Sequence, residues 1–168
     1  AEGQLNLELI KRYAKNFIPV LFNAYEGATS STSEQYAATV HNAAAAYLGI
    51  APVALVTQYF GRLESLLTQA TAASGKWTTE QKEAVEAERV KASSRLGLAL
   101  AITPRLEPPA LASLYRIIRP AIQDDTHSSV QKRAYKVLLA IVMANPQFAL
   151  APERRDDILG LLRDSLVT

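Results

Sequence analysis

Apolar residues return every three or four positions along this chain, in about seven successive stretches that prolines, glycines or polar turns separate. That spacing places them on one face of an α-helix, and a strand would instead alternate every second residue. No segment sustains such alternation with β-branched residues. The fold class is therefore all-α, and the next question is how the helices are arranged.

The first stretch, Leu5 to Tyr25, sets Leu9, Ile10, Tyr13, Phe17, Leu21 and Ala24 on one face, which is predicted to point inward. Pro19 falls within it and should kink the helix without ending it, because the spacing continues beyond. Glu26 to Ser31 then breaks the pattern. Thr32 with Gln35, and later Thr78 with Gln81, have the spacing of capping boxes and are predicted to open helices two and four. Pro52 is placed at the first turn of helix three, and Pro108-Pro109 and Pro152 open helices five and seven. Gly49, Pro104 and Asn145-Pro146 are read as stops. Helix four carries acid early (Glu80, Glu83, Glu86, Glu88) and base later (Arg89, Lys91, Arg95), the order its dipole favours. In helix seven Ile158, Leu159, Leu162 and Leu166 are expected inward.

Composition narrows the function more by exclusion than by indication. The absence of cysteine rules out a disulfide framework and thiolate metal sites. No apolar run approaches the ~18 residues of a membrane span. Ala1-Glu2-Gly3-Gln4 has neither the basic nor the apolar part of a signal peptide, and without an initiator Met the chain is read as a piece of a longer protein. The net charge of +2 implies no global attraction to nucleic acid. Locally, however, residues 89–136 hold Arg89, Lys91, Arg95, Arg105, Arg116, Arg119, Lys132, Arg133 and Lys136 against only Glu107, Asp124 and Asp125.

Short turns make sequential helices antiparallel neighbours, so one pairs with two, three with four and five with six. The odd helices begin near residues 5, 52, 108 and 152. This approaches the ~40–47-residue period of HEAT repeats, stretched once by a long helix. A four-helix bundle would need heptad seams closing on one axis, into which seven helices do not divide. Residues 114–138 resemble the HEAT consensus: Pro120 late in a first helix, Asp125 in the turn, then Val130, Ala134 and Leu138 at four-residue steps. Asp125 is expected to cap helix six. Gln131 stands where the consensus has arginine, with Lys132 and Arg133 next. The expectation is a HEAT-type α-solenoid of about seven antiparallel helices in stacked hairpins, with residues 1–168 forming a single segment of it.

Two longer motifs carry a more specific resemblance. Asn16 to Asn23, reading NFIPVLFN, resembles the NFL-x-x-LFN segment of the ribosomal RNA-processing protein 12 family. Ser128 to Leu138, reading SSVQKRAYKVL, is similar to that family's S-x-QK(K/R)AY(K/R)-x-L segment. The resemblance implies a large HEAT-repeat factor of nucleolus and nucleus, shuttling to the cytoplasm, that accompanies small-subunit precursors through processing and export. It further implies pre-ribosomal RNA, small-subunit assembly proteins and nuclear-transport factors as partners, and no enzymatic activity, cofactor, metal or small-molecule substrate.

Nothing in the residues themselves points to catalysis. No phosphate-binding glycine loop or nucleophile elbow occurs, and His41 and His127 lack a second ligand at metal spacing. His127 is read as a solvated turn residue. Asp124-Asp125 and Asp156-Asp157 are better explained as turn and cap residues than as converging acid and base. Trp77 is read as a loop anchor and Tyr135 as a boundary packing residue. The candidate binding residues are Arg116 and Arg119 on helix five, and Lys132, Arg133 and Lys136 on helix six opposite its apolar stripe. Such a ridge suits RNA phosphate, where counterion release drives binding without sequence readout. The plainer reading is a solvated helix face, and the alternative function is a nuclear-transport-type adaptor that binds peptides or proteins without RNA.

Overall fold

Proline decides where several helices of this protein begin. In the computed structural model, which describes residues 2–31, 34–71, 79–124 and 127–166, every regular element is helical. The α-helices are α1 (Glu2–Ser31), α2 (Glu34–Ile50), α3 (Val53–Thr71), α4 (Thr79–Ile102), α5 (Pro108–Gln123), α6 (Ser128–Ala144), α7 (Pro146–Leu150) and α8 (Pro152–Leu166), with a 3-10 turn at Thr103–Arg105. Prolines occupy the first turns of α5 and α7 and the first position of α8, where a missing N–H leaves no hydrogen bond unmade. Pro52 sits one residue ahead of the predicted position: its carbonyl accepts from Leu55 and Val56 and so caps α3 from outside.

Several boundaries differ from the sequence reading. α1 runs through Gly27 to Ser31, because one glycine costs a helix only ~1 kcal/mol. Asn145-Pro146 was predicted as a stop, and it is also a start. The Asn145 side chain accepts from the Phe148 N–H at 3.0 Å and opens α7, a single turn that buries Phe148 and Ala149. Thr32, Thr78 and Asp125, the predicted caps, and Trp77 lie outside the described residues, as do the side chains of Gln81, Glu80, Glu83, Glu86, Glu88 and Arg89.

Helices adjacent in sequence pack in pairs, α1 with α2, α3 with α4 and α5 with α6. The later members also touch in succession, α2 with α4 and α4 with α6, while α3 packs on α5. α4 is the hub, and its segment Ser94 to Ala99 is buried on every side. Apart from Arg95, the residues there (Ser94, Leu96, Gly97, Leu98, Ala99) are small or apolar, as such a position requires. Leu111, Leu114, Ile118 and Ile122 of α5 interleave with Ala134, Val137, Leu138 and Ile141 of α6 in the same core.

The face of α1 predicted to point inward is covered only in part, at Leu21 and Ala24, which pack against the core. Ala14, Ile18 and Tyr25 are buried, whereas Leu9, Ile10, Tyr13 and Phe17 are exposed, Phe17 to 47%. The apolar residues of helix one share one broad arc, roughly 220° at 100° per residue, and periodicity alone does not say which part is covered. In α8 likewise Ile158 and Leu161 face inward, while Leu159 and Leu162 do not. Leu166 has no described side chain.

A candidate nucleic-acid interface on α6

Three of the five candidate cations come together where α2, α4 and α6 meet. The helices enclose a groove of about 420 Å³. One wall is Ala37, Ala38 and His41 of α2, and the other is Ser129, Lys132, Arg133 and Lys136 of α6. Leu96, Gly97 and Leu100 of α4 lie between them, with Tyr25 of α1. Alanine and glycine on α2 and α4 leave this space open.

Within it the cations do different things. Lys132 and Lys136 are exposed, one helical turn apart, with no hydrogen-bond or ion-pair partner among the described residues. Arg133 departs from the predicted outer ridge. It is half-buried, and its Nη1 donates to the Tyr25 hydroxyl at 2.7 Å. That contact needs Gly97, since a β-carbon there would press on the Tyr25 hydroxyl and lie 2.6 Å from Arg133 Nη1. His41 lies on the same floor, its ring 5.6 Å from that of Tyr25. Its Nε2 is 3.0 Å from the Gly97 carbonyl, which only accepts, so the ring carries its proton on Nε2.

Arg116 and Arg119 are not part of this groove. Arg119 clamps Asp157 of α8 with Nε–Oδ2 and Nη2–Oδ1 distances of 2.9 and 2.8 Å, and Tyr115 donates to the same carboxylate at 2.6 Å. These bonds, the Arg119 one foremost, hold the Asp157 carboxyl down at about 2. Burial first, and then the bond to Asp157, push the Tyr115 hydroxyl up. Arg154 stacks 3.7 Å above the Phe148 ring on the same side of α8. Arg116 donates to Ser113, whose hydroxyl donates to Glu64 of α3. Arg119 is thus a strut between helices, and Arg116 is drawn toward an acid.

Other members of the basic stretch are structural too. Arg105 donates to the carbonyls of Gly49 and Ala51 at 2.8 and 3.0 Å and caps the end of α2. Arg95, nearly buried, reaches Glu26 at 3.5 Å and the Leu66 carbonyl at 3.3 Å. Gln131, in the place of the consensus arginine, donates to the Ile122 carbonyl at 2.9 Å and ties α6 to α5. Tyr135 packs against the core as a boundary residue. His127 does not conform to the solvated reading, because its Nε2 is shielded from solvent. Tyr25 and Gly97 were not anticipated as site residues. The one sequence signal was a glycine inside a helix, where it is costly unless something passes close by.

Among the described residues no cluster of three or more His, Asp or Glu is placed to hold a metal ion, and no helix is long and apolar enough to cross a membrane. No protein-family model matches the chain, and no solved structure does. It is 33% identical over 164 residues to an RRP12-like protein from Gallus gallus, and 30% identical over 165 residues to an RRP12-like protein from Homo sapiens. Each alignment takes in 94% of this chain, and the chain spans about 11% of the length of either relative. The resemblance carried by the two motifs therefore extends over nearly the whole chain, which is related in sequence to the RRP12-like proteins along one stretch of their length.

Proposed function

We propose that this chain is a non-catalytic scaffold segment of a nucleolar and nuclear ribosome-biogenesis factor, acting in small-subunit precursor processing and export. In this reading its paired helices are one stretch of a HEAT-type solenoid, and the basic edge of α6 contacts pre-ribosomal RNA through its phosphates. The observation that carries the contact is the contrast among the cations. Arg95, Arg105, Arg119 and Arg133 are engaged within the chain, whereas Lys132 and Lys136 are exposed beside an open groove, with no partner among the described residues. A phosphate that meets such a side chain gives up counterions condensed on the RNA, and that release drives the binding.

Two things support the solenoid. The successive packing of α2, α4 and α6 is that of stacked repeats, each touching its neighbours. Apolar side chains are exposed on α1 (Leu9, Tyr13, Phe17) and on α6 and α8 (Leu139, Met143, Leu159), as in repeats that bury such faces only against further repeats.

The test is titration with RNA at two salt concentrations. For the native chain, affinity falls with salt by about 0.7 log units per tenfold salt for each phosphate neutralised on a single strand. Lys132→Glu with Lys136→Glu weakens binding and flattens that slope. Binding and slope unchanged by the double reversal remove α6 from the interface. An intact fold with no RNA affinity at low salt favours instead a protein-only adaptor of the nuclear-transport type.

A further inference from the structure

We infer that the α2–α4–α6 groove receives one unpaired base of single-stranded RNA while the flanking phosphates meet Lys132 and Lys136; this rests on the RNA-binding reading above. The lysines stand at the lip of a recess of about 420 Å³, not on a convex surface. A duplex keeps its bases stacked inside a rigid cylinder, so it would touch the lip and leave the recess empty. An unpaired nucleotide can rotate its base away from its phosphate and fill both. Lys132 and Lys136 are separated by one helical turn, about 6 Å along the axis, which is the scale of one nucleotide step.

The interior of the groove suits the flat face of a base. Ala37, Ala38, Leu96 and Leu100 supply apolar contact, and the methyl-sized side chains on α2 allow close approach. Arg133 adds a planar cation that its bond to Tyr25 already holds in place, the kind of surface on which unpaired bases stack. On the floor of the groove the Tyr25 hydroxyl accepts from Arg133, and His41 Nε2 is bound to the Gly97 carbonyl. Contact is made to the flat face that every base has, so the groove tolerates any base, and its selectivity is for single strands over duplexes.

The experiment compares a ten-nucleotide oligouridine, an oligoadenosine of equal length, a duplex of equal length and polyglutamate, using the whole chain and two groove-filling variants. Ala38→Leu fills the groove from α2, and Ser129→Phe fills it from α6, so a folding defect in one does not decide the matter. The expected result is a roughly tenfold loss of single-strand affinity in each variant, the scale of one lost stacked base, with the salt slope unchanged. Duplex binding is weaker from the start and insensitive to either variant. Equal affinity for duplex and single strand, with no effect of Ala38→Leu or Ser129→Phe, overturns the base-in-groove assignment and leaves the phosphate contact standing. Absence of binding to every RNA overturns both. Polyglutamate binding as tightly as RNA and with the same sensitivity to Ala38→Leu shows the groove to be an acidic-peptide site and overturns the assignment.

Discussion

The hydroxyl of Tyr59 donates to the main-chain carbonyl of Lys15 at 3.2 Å, and that carbonyl is the one Pro19 leaves without a helical donor. In an unbroken helix residue 19 would supply an N–H to the oxygen of residue 15, and proline has none. A side chain 44 positions later on α3 supplies the missing donor, with Phe22 packed against the same ring at 5.6 Å. Tyr59→Phe is therefore expected to lower stability by about 1 kcal/mol. In a Pro19→Ala background, where the helix provides its own donor, the same substitution should cost much less. A thermal-melt double-mutant cycle checks this, and equal costs in the two backgrounds would show that the hydroxyl does not compensate for the proline.

Gly97 is predicted to be intolerant of any side chain. Alanine there would force Tyr25 and Arg133 aside, since its β-carbon would sit 2.6 Å from Arg133 Nη1. Overpacking of this kind costs roughly 1–3 kcal/mol. The guanidinium is the flexible end and should move first, so Gly97→Ala should also reshape the groove. Adding Tyr25→Phe removes the nearest clashing atom and should restore part of the stability without restoring the Arg133 contact. Chemical denaturation of the two variants tests the order of effects.

These relationships explain which parts of the molecule could be read from sequence. Prolines at helix starts, the α5 and α6 stripes and the exposure of Lys132 and Lys136 follow from local chemistry and 100° steps, and the structure places them accordingly. Arg133 was legible only as one more cation on α6, because its partner Tyr25 lies 108 positions away and in another hairpin. Arg119 was misjudged for the same reason: Asp157 lies 38 positions on. The partial mismatch on α1 has a different cause. The part of the arc holding Leu9, Tyr13 and Phe17 is bulkier than that of Ala14 and Ile18, and neighbours decide which part is buried.

The Arg119–Asp157 pair should give acid stability a recognisable window. Its folded carboxyl titrates at about 2 against an ordinary value of 3.8. A depressed folded value means that the contribution is fully present above about pH 4 and is lost as pH falls from there through 2. Both side chains are partly exposed, so the pair is screened and Asp157→Asn should lower the melting temperature by only about 2–4 °C at pH 7. The native and variant curves should converge near pH 2. A difference that persists undiminished at pH 2 would mean that Asp157 acts by packing and not by charge.

Structural and binding cations should separate cleanly in melting experiments. Lys132→Glu and Lys136→Glu change exposed side chains with no partner among the described residues, so stability should stay within about 0.5 kcal/mol of native. Arg105→Ala removes two charge-assisted bonds to the Gly49 and Ala51 carbonyls at the negative end of α2, and should cost about 1–2 kcal/mol. The order reverses for RNA affinity, which should fall in the lysine variants and persist in Arg105→Ala under conditions where that variant is folded. Arg105→Ala removes one unit of charge and each lysine reversal two, so a loss in Arg105→Ala about half that of either reversal on a logarithmic scale would mean that total charge, and not the position of α6, governs binding.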